Sequence, residues 1–360
     1  MTSERDSYAA AGVDTAAAGS ALAGLVAALG AIDPGRARRS VLRSGHYAAV
    51  LALDERTGIA LCTDGVGTKL IVAEQAGRFD TVGIDCIAMN VNDLICVGAE
   101  PLAMVDYLAV ERADPDVLSA VGEGLRRGAE EARIEIPGGE LAQLPEMIRG
   151  HPSPNGIDLV GAAFGVVGLD AILDGGTVAP GDAVIGVPSS GIHSNGFTLA
   201  RRALLEDGAL SLDQHVEELG RTLADELLEP TAIYVRAALG LLGSEVDVHG
   251  LAHITGDGLL NLRRLSNEAG FEIDAPLEPQ PVFDLIARSG DIGAAEMWEV
   301  FNMGTGLCCV VAEADANAAA ELLTKHHPGT RRIGTVTSKT GSVTIPSRGL
   351  RAEPGNGFQA

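Results

Sequence analysis

The sequence predicts an α/β fold with mixed sheets, arranged as two domains. Strand-like and helix-like stretches alternate through both halves of the 360 residues. Hydrophobic residues make up 46% of the chain and aromatics only 3%, so the cores are built from Ala, Val, Leu and Ile. Two early strands lie close enough to read as a hairpin, which makes the sheets mixed rather than wholly parallel. A chain of this length supports two ordinary domains with their own cores. The break falls near Leu169–Gly176, giving an N-terminal domain over 1–168, a C-terminal α/β domain over 169–345 and a mobile Gly-, Pro- and Arg-rich tail over 346–360.

The elements follow in order. An Ala-rich helix is predicted from Ala16 to Leu29. His46–Leu53 and Ile59–Thr63 read as strands, Phe79–Val97 as a helix and Leu102–Val110 as a strand. Asp114 followed by Pro115 marks the start of a helix running to Ala132. Ile134–Pro137 and Ile157–Gly168 return as strands. The second block opens with the strand Ala183–Val187, continues with helices at Asn195–Leu205, Arg221–Leu228 and Thr231–Leu242, and then gives a strand at His249–Thr255 and a helix from Leu259. Cys308–Ala312 and Ile333–Val336 are late strands.

A formal charge of −23 excludes non-specific nucleic-acid binding, because a phosphate backbone needs a basic stripe and the chain has none. If so acidic a protein binds phosphates, it does so with metal ions, backbone N–H groups and a few placed cations. The five cysteines are odd in number, sit in apolar runs and include no Cys-x-x-Cys, so they read as small core residues of a reducing, cytoplasmic protein. The longest early apolar stretch, Ala16 to Ile32, lacks a basic leader, so neither a secretory signal nor a membrane span is expected.

The chemistry concentrates in loops that end strands. Thr63-Asp64-Gly65-Val66-Gly67-Thr68-Lys69 follows the apolar run Ile59–Cys62. It places a carboxylate, a hydroxyl, an ammonium and open glycine backbone at one loop, which suits a metal-bound polyphosphate. Lys69 is suited to neutralising charge on a transferred phosphoryl group. A tight hairpin with a solvated Asp is the plainer account of Asp-Gly alone. On the next helix Asp85, Met89 and Asn92 repeat at i, i+4 and i+7 with Asp93 beside them, while Ile84, Ile87, Val91, Leu94 and Ile95 form the apolar side. Such groups on a largely buried helix need ligands or partners; a water-facing polar stripe is the alternative. Together these clusters point to a magnesium–nucleotide site.

Ser189-Ser190-Gly191-Ile192-His193-Ser194-Asn195-Gly196 follows a strand and opens a helix, the arrangement of a phosphate cradle. His193 is placed to donate a hydrogen bond or move a proton, while ordinary capping would account for one Ser or Asn. Gly138-Gly139-Glu140 offers one more carboxylate over bare backbone, and His253-Ile254-Thr255-Gly256-Asp257-Gly258 resembles the serine loop in placement. Asn302-Met303-Gly304-Thr305-Gly306 reads as a turn before a core strand.

In order along the chain, these motifs resemble the phosphoribosylformylglycinamidine cyclo-ligase (aminoimidazole ribonucleotide synthetase) family. The match runs through Tyr8 with Ala11-Gly12-Val13-Asp14, Thr63 to Lys69, Gly83-Ile84-Asp85, Val91-Asn92-Asp93-Leu94, Gly98-Ala99-Glu100-Pro101 and Asp106-Tyr107. It continues through Gly138-Gly139-Glu140, Ser189 to Gly196, His253 to Gly256 and Phe301-Asn302-Met303-Gly304. The resemblance implies an ATP-dependent ring closure: ATP phosphorylates the formyl amide oxygen of formylglycinamidine ribonucleotide, an internal nitrogen attacks that carbon, and phosphate leaves. It also implies a homodimer whose N-terminal sheets join into a barrel-like core, in keeping with the low-charge, β-rich stretch from Ala48 to Leu61.

The expected ATP contacts are then Asp64, Gly65, Gly67, Thr68, Lys69, Asp85, Asn92 and Asp93, and the expected catalytic residues are Lys69, His193 and His253. Ser189, Ser190, Gly191, His193, Ser194 and Asn195 are expected at the substrate phosphate. Magnesium falls to Asp64 and Asp93, with Asp85, Glu140 and Asp257 in second rank. The expected partners are ATP, the ribonucleotide and a second copy of the chain, with no nucleic acid and no membrane.

Three segments depart from the family pattern: Ser44-Gly45-His46-Tyr47 in place of a glycine-rich stretch, Leu141–Pro145 without the usual Thr and second Glu, and Asp257 in place of a glycine. Rival readings carry signatures this chain does not share. A selenophosphate synthetase would have a reactive Cys before Cys62, and a hydrogenase-maturation dehydratase would end in Cys rather than Ala360. A thiamine-monophosphate kinase would not keep Asp-Gly-Val-Gly-Thr-Lys intact. An inactive nucleotide-binding subunit is the reading from another class.

Overall fold

The computed structural model describes residues 15–42, 45–266 and 268–360. Tyr8, Ala11–Asp14 and Ser44 of the sequence reading lie outside them. The first helix, α1 (Thr15–Gly30), matches the Ala-rich prediction, and its Leu22, Leu25, Val26 and Leu29 are exposed.

Five strands form the first sheet: β1 (Ala49–Ala52), β2 (Thr57–Gly65), β3 (Glu100–Val110), β4 (Glu135–Gln143) and β5 (Ile157–Gly168), in the order β1-β2-β5-β3-β4. The β1–β2 hairpin is closed by Asp54, whose Oδ1 accepts from the N–H groups of Arg56 and Thr57, both at 2.8 Å. All neighbours are antiparallel except β3 and β4. That parallel partner carries β4 well beyond the predicted Ile134–Pro137, with Val110 paired to Gln143.

One face of this sheet is covered by α3 (Val82–Ile95), on which α4 (Pro115–Ala132) packs; the short α2 (Lys69–Ala76) precedes them. Asp114 caps α4 as predicted, accepting from the N–H groups of Asp116 and Val117. Where α3 crosses α4 the backbones touch. A Cβ on Gly83 would lie 2.2 Å from the Leu125 nitrogen, and one on Gly124 would lie 2.8 Å from the Asp80 oxygen. The opposite face of the sheet exposes Leu51, Leu61, Val105, Tyr107 and Phe164, with Leu61 and Phe164 cross-strand neighbours.

The second sheet has seven strands in the order β14-β13-β10-β12-β6-β11-β9. Its centre is β6 (Ala183–Pro188) and β11 (Thr305–Val311), nearly wholly buried, with β9 (Val248–His253) beside β11 and β12 (Arg331–Thr337) beside β6. The two-strand ribbon β7 (His215–Val216) and β8 (Arg221–Thr222) stands apart from it. The predicted helix at Arg221–Leu228 divides into β8 and α6 (Leu223–Leu227), because Thr222 caps the helix by accepting from the Asp225 N–H. The predicted Asn195–Leu205 helix is α5 (Phe197–Arg201) running into a wider turn over Arg202–Asp207, and the stretch from Leu259 is a 3-10 turn over Gly258–Arg264.

Helix α7 (Val235–Leu242) packs on α10 (Ala316–Thr324), which lies on β6. Elements not predicted from sequence are α2, α8 (Pro281–Gly290), α9 (Ala294–Val300), α10, β7, β10 (Gly270–Glu272), β13 (Val343–Ile345) and β14 (Leu350–Ala352). The segment after Pro346, expected to be mobile, is instead held: β14 pairs with β13, Arg351 pairs with Gln359, and Leu350, Ala352 and Phe358 are buried. Its apolar residues alternate with polar ones and so find a sheet edge. Among the described residues no helix is long and apolar enough to cross a membrane.

Candidate active-site cleft between the two sheets

Strand β2 ends at the Asp64 loop. Asp64 is half-buried, and its Oδ1 accepts from the Gly65 N–H at 2.8 Å. Burial raises its carboxyl pKa and the neighbouring Asp93 adds to the rise, against the Gly65 bond, His253 and Arg264. Lys69, four residues beyond Gly65, opens α2 and has no exposed surface. Its Nζ donates to Asp85 Oδ1 at 2.9 Å and to the Glu229 carbonyl at 2.6 Å. Burial pulls the ammonium below the ordinary lysine value, and the Asp85 carboxylate works against that fall.

Helix α3 supplies the second cluster. Asp85 Oδ1 also accepts from the Thr231 N–H at 2.8 Å and the Thr231 hydroxyl at 2.6 Å, while Oδ2 is buried without a partner among the described residues. Asn92 donates to the Ala232 carbonyl and accepts from the Tyr234 N–H. Asp93 is partly open, and its Oδ1 lies 2.9 Å from His253 Nδ1 at the end of β9. The stripe at i, i+4 and i+7 thus faces the segment 229–234 of the second domain, not water. Asp93 remains at its wet edge.

The serine loop forms the other wall. Thr68 Oγ1 and Thr198 Oγ1 are 3.1 Å apart, which puts the Asp64–Lys69 loop against the start of α5. The loop's hydroxyls are engaged within the protein. Ser190 donates to the Pro230 carbonyl, Ser194 meets Thr231, and Ser189 stands by Gln280. His193 has a left-handed φ of 69°, and its Nε2 accepts from the Ser190 N–H at 3.1 Å. The ring proton therefore sits on Nδ1, which is buried without a partner among the described residues. Burial holds this histidine well below its ordinary pKa, with His253 and Lys69 contributing, so it is neutral at pH 7. Asn302 shapes the turn from outside, donating to the carbonyls of Gly191 and Ile192. Gly196, at φ 80°, lies where a Cβ would come within 2.5 Å of Phe301.

The fold therefore gathers Asp64, Thr68, Lys69, Asp85, Asn92, Asp93, His193, Ser194 and His253 where the two domains meet. Two candidates stand elsewhere. Glu140 is exposed on the open face of the first sheet, opposite Tyr107 and separated from β2 by β3 and β5. Asp257 is largely exposed and faces Arg264 and Asn261. Among the described residues no three His, Cys, Asp or Glu side chains form a ready metal cage. What the cleft offers a hard cation is the pair Asp64 and Asp93, leaving other positions to water and to ligand oxygens. Sequence reading missed Asn90, Thr231 and Tyr234. Only Asn90 left a signal, as an amide on the apolar side of α3.

Models of the AIR synthase related protein family match the chain twice, the N-terminal domain over residues 45–167 and the C-terminal domain over 179–346. The chain is 49% identical over 303 residues to the phosphoribosylformylglycinamidine cyclo-ligase of Methanothermobacter thermautotrophicus, covering 84% of this chain and 86% of that protein. It is 46% identical over 347 residues to the cyclo-ligase of Thermococcus kodakarensis, covering 96% and 99%. Among solved structures, hydrogenase maturation protein HypE in complex with ATP superposes with a TM-score of 0.61 at 22% identity over 82% of this chain and 83% of that one, a likeness of fold.

Proposed function

The chain belongs to the AIR synthase related family, its reaction is the ATP-dependent closure of formylglycinamidine ribonucleotide to aminoimidazole ribonucleotide in de novo purine synthesis, and from that premise we propose how its residues divide the work. Asp64 and Asp93 hold magnesium with the ATP phosphates. Burial and the Asp93 carboxylate beside it raise the cost of ionising Asp64, a cost that a shared cation relieves, and the oxygen donors present fit such a cation. When bound, magnesium neutralises charge that gathers on the phosphoryl oxygens. His253 fixes the Asp93 carboxylate through Nδ1. Gly65 and Gly67 set no side chain in the way of the phosphates, and the Thr68 hydroxyl, on Thr198 here, lies beside them. Lys69, Asp85 and Asn92 do not reach the substrates: they lock the ATP wall to the segment 229–234.

The turn Ser189–Asn195 takes the ribonucleotide phosphate through its backbone N–H groups, with the side-chain hydroxyls holding the turn's shape. His193 donates from Nδ1 as a neutral ring, and is not a base while Ser190 occupies Nε2. The observation that supports this reading is the contact of Thr68 with Thr198, which sets the two anion loops side by side, as transfer of the γ-phosphoryl group to the formyl oxygen requires. Two copies pair through the open apolar face of the first sheet, in a cytoplasmic homodimer. The domain boundary falls at 168/169.

The test is ADP release coupled to the ribonucleotide. Asp64→Asn and Asp93→Asn each lower turnover about a hundredfold, a loss of about 3 kcal/mol in the transition state, with the unfolding midpoint unchanged. Full turnover in either variant removes the assignment.

A further inference from the structure

Asn90 is wholly buried on α3 and every polar atom of its side chain is used. Its Oδ1 accepts from the Asp64 N–H at 3.0 Å, and its Nδ2 donates back to the Asp64 carbonyl at 3.1 Å and to the Cys86 carbonyl at 2.9 Å. The thiol of Cys62, two residues before Asp64, donates to the Asn90 carbonyl at 3.1 Å. The amide has one allowed orientation, since a flip would set NH₂ against N–H and oxygen against two carbonyls. It fits only because its neighbour on β5 is Gly161, where a Cβ would lie 2.6 Å from Nδ2.

Asp64 therefore takes its backbone position from a side chain on α3, and Asp93 lies on the same helix one turn further on. We propose that Asn90 is a positioning residue: its amide couples Asp64 to α3, so that a single helical turn sets the separation of the Asp64 and Asp93 carboxylates that receive Mg–ATP. The inference rests on the reading of those two carboxylates given above. It assigns to a buried amide on an apolar helix face the alignment of the metal–nucleotide site.

The experiment measures Mg–ATP binding by calorimetry on the full chain, beside turnover and thermal unfolding, for Asn90→Ala, Asn90→Ser, Asp64→Asn and the Asn90→Ala/Asp64→Asn double variant. Asn90→Ala weakens Mg–ATP binding about tenfold and leaves the ribonucleotide Michaelis constant unchanged. Asn90→Ser, which keeps one hydrogen-bonding group and a smaller gap, recovers about half of that loss on a logarithmic scale and keeps the proposal testable should the alanine variant fold poorly. In the double variant, Asn90→Ala adds less than about twofold to the loss caused by Asp64→Asn, because the residue acts through Asp64.

Wild-type Mg–ATP binding in both Asn90 variants, with Asp64→Asn impaired, overturns this proposal alone. Losses that multiply in the double variant also overturn it, since they mark a general structural role. Wild-type binding in Asp64→Asn removes the reading of Asp64 and this proposal with it.

Discussion

Replacing Lys69 by Met isolates the energetics of the domain lock. The ammonium and the Asp85 carboxylate meet at 2.9 Å with neither side chain exposed. At an effective dielectric of about 20 that separation corresponds to an attraction of roughly 6 kcal/mol. Methionine fills the lysine's space but leaves Asp85 buried with only the two Thr231 donors on Oδ1 and nothing on Oδ2. A buried charge deprived of its partner costs about 3–5 kcal/mol, a large share of the 5–15 kcal/mol that stabilises a typical domain.

Urea unfolding reads this directly, because Trp298 is the single tryptophan and is 3% exposed. The midpoint falls by roughly 1 M or more at the denaturant slope of a protein this large. Adding Asp85→Asn removes the orphaned charge and keeps an acceptor for Thr231, so Lys69→Met/Asp85→Asn returns to within about 1 kcal/mol of the parent. A single variant within about 1 kcal/mol of the parent refutes the reasoning. So does a double variant no more stable than the single.

Three further outcomes are expected. Tyr107→Asp with Phe164→Asp puts charge on the open sheet face; sedimentation at micromolar concentration gives a dimer for the parent and a monomer for this variant, and a stable monomeric parent removes the idea. Ser190→Ala with Ser194→Ala frees the serine turn from Pro230 and Thr231, raising the ribonucleotide Michaelis constant several-fold while that for ATP barely moves; the reverse pattern assigns the turn to ATP. His249 is partly desolvated, which disfavours its charge, but Asp182 at 2.7 Å and Asp247 at 3.2 Å outweigh this and raise its pKa above 6.5. A pKa raised on folding means that its stabilisation is complete below about pH 6.5 and is lost as pH climbs through the higher folded value, so urea midpoints of His249→Gln approach those of the parent as pH rises and fall below them in acid.

The elements that sequence made legible are those whose cause is local. Asp114-Pro115 starts a helix by a cap and a fixed φ, and β5 alternates strictly because one of its faces is covered. Boundaries slipped where the cause is distant. The β4 strand outruns its apolar core because β3 lends it a parallel partner, and the terminal segment is ordered by an edge contributed by β13.

The site divides the same way. A carboxylate loop and a serine turn announce themselves by composition, but the direction of each side chain does not. Lys69 reads as a cation open to phosphate and lies instead at zero exposure on Asp85, a partner sixteen residues on, held jointly with Thr231. Glu140 reads as one more ligand and falls on the other side of a sheet, since neighbouring strand residues alternate faces and only the register decides which. Asn90 goes unnoticed in the sequence because its partner, the main chain of Asp64, has no sequence signature.

The bare crossing of α3 over α4 has a consequence for how this molecule moves. Side chains between two helices act as a compliant layer that lets one slide or roll on the other by changing rotamers, and at Gly83 and Gly124 that layer is missing. The joint resembles a bearing with no play: any displacement of α3 drives main chain into main chain. Asp85, Asn92 and Asp93 thus ride on a stator. Movement between the two domains then falls to the opposite wall, where the serine turn is bonded to the segment 229–234 and that segment to α3 by hydrogen bonds that break and reform without displacing the helix.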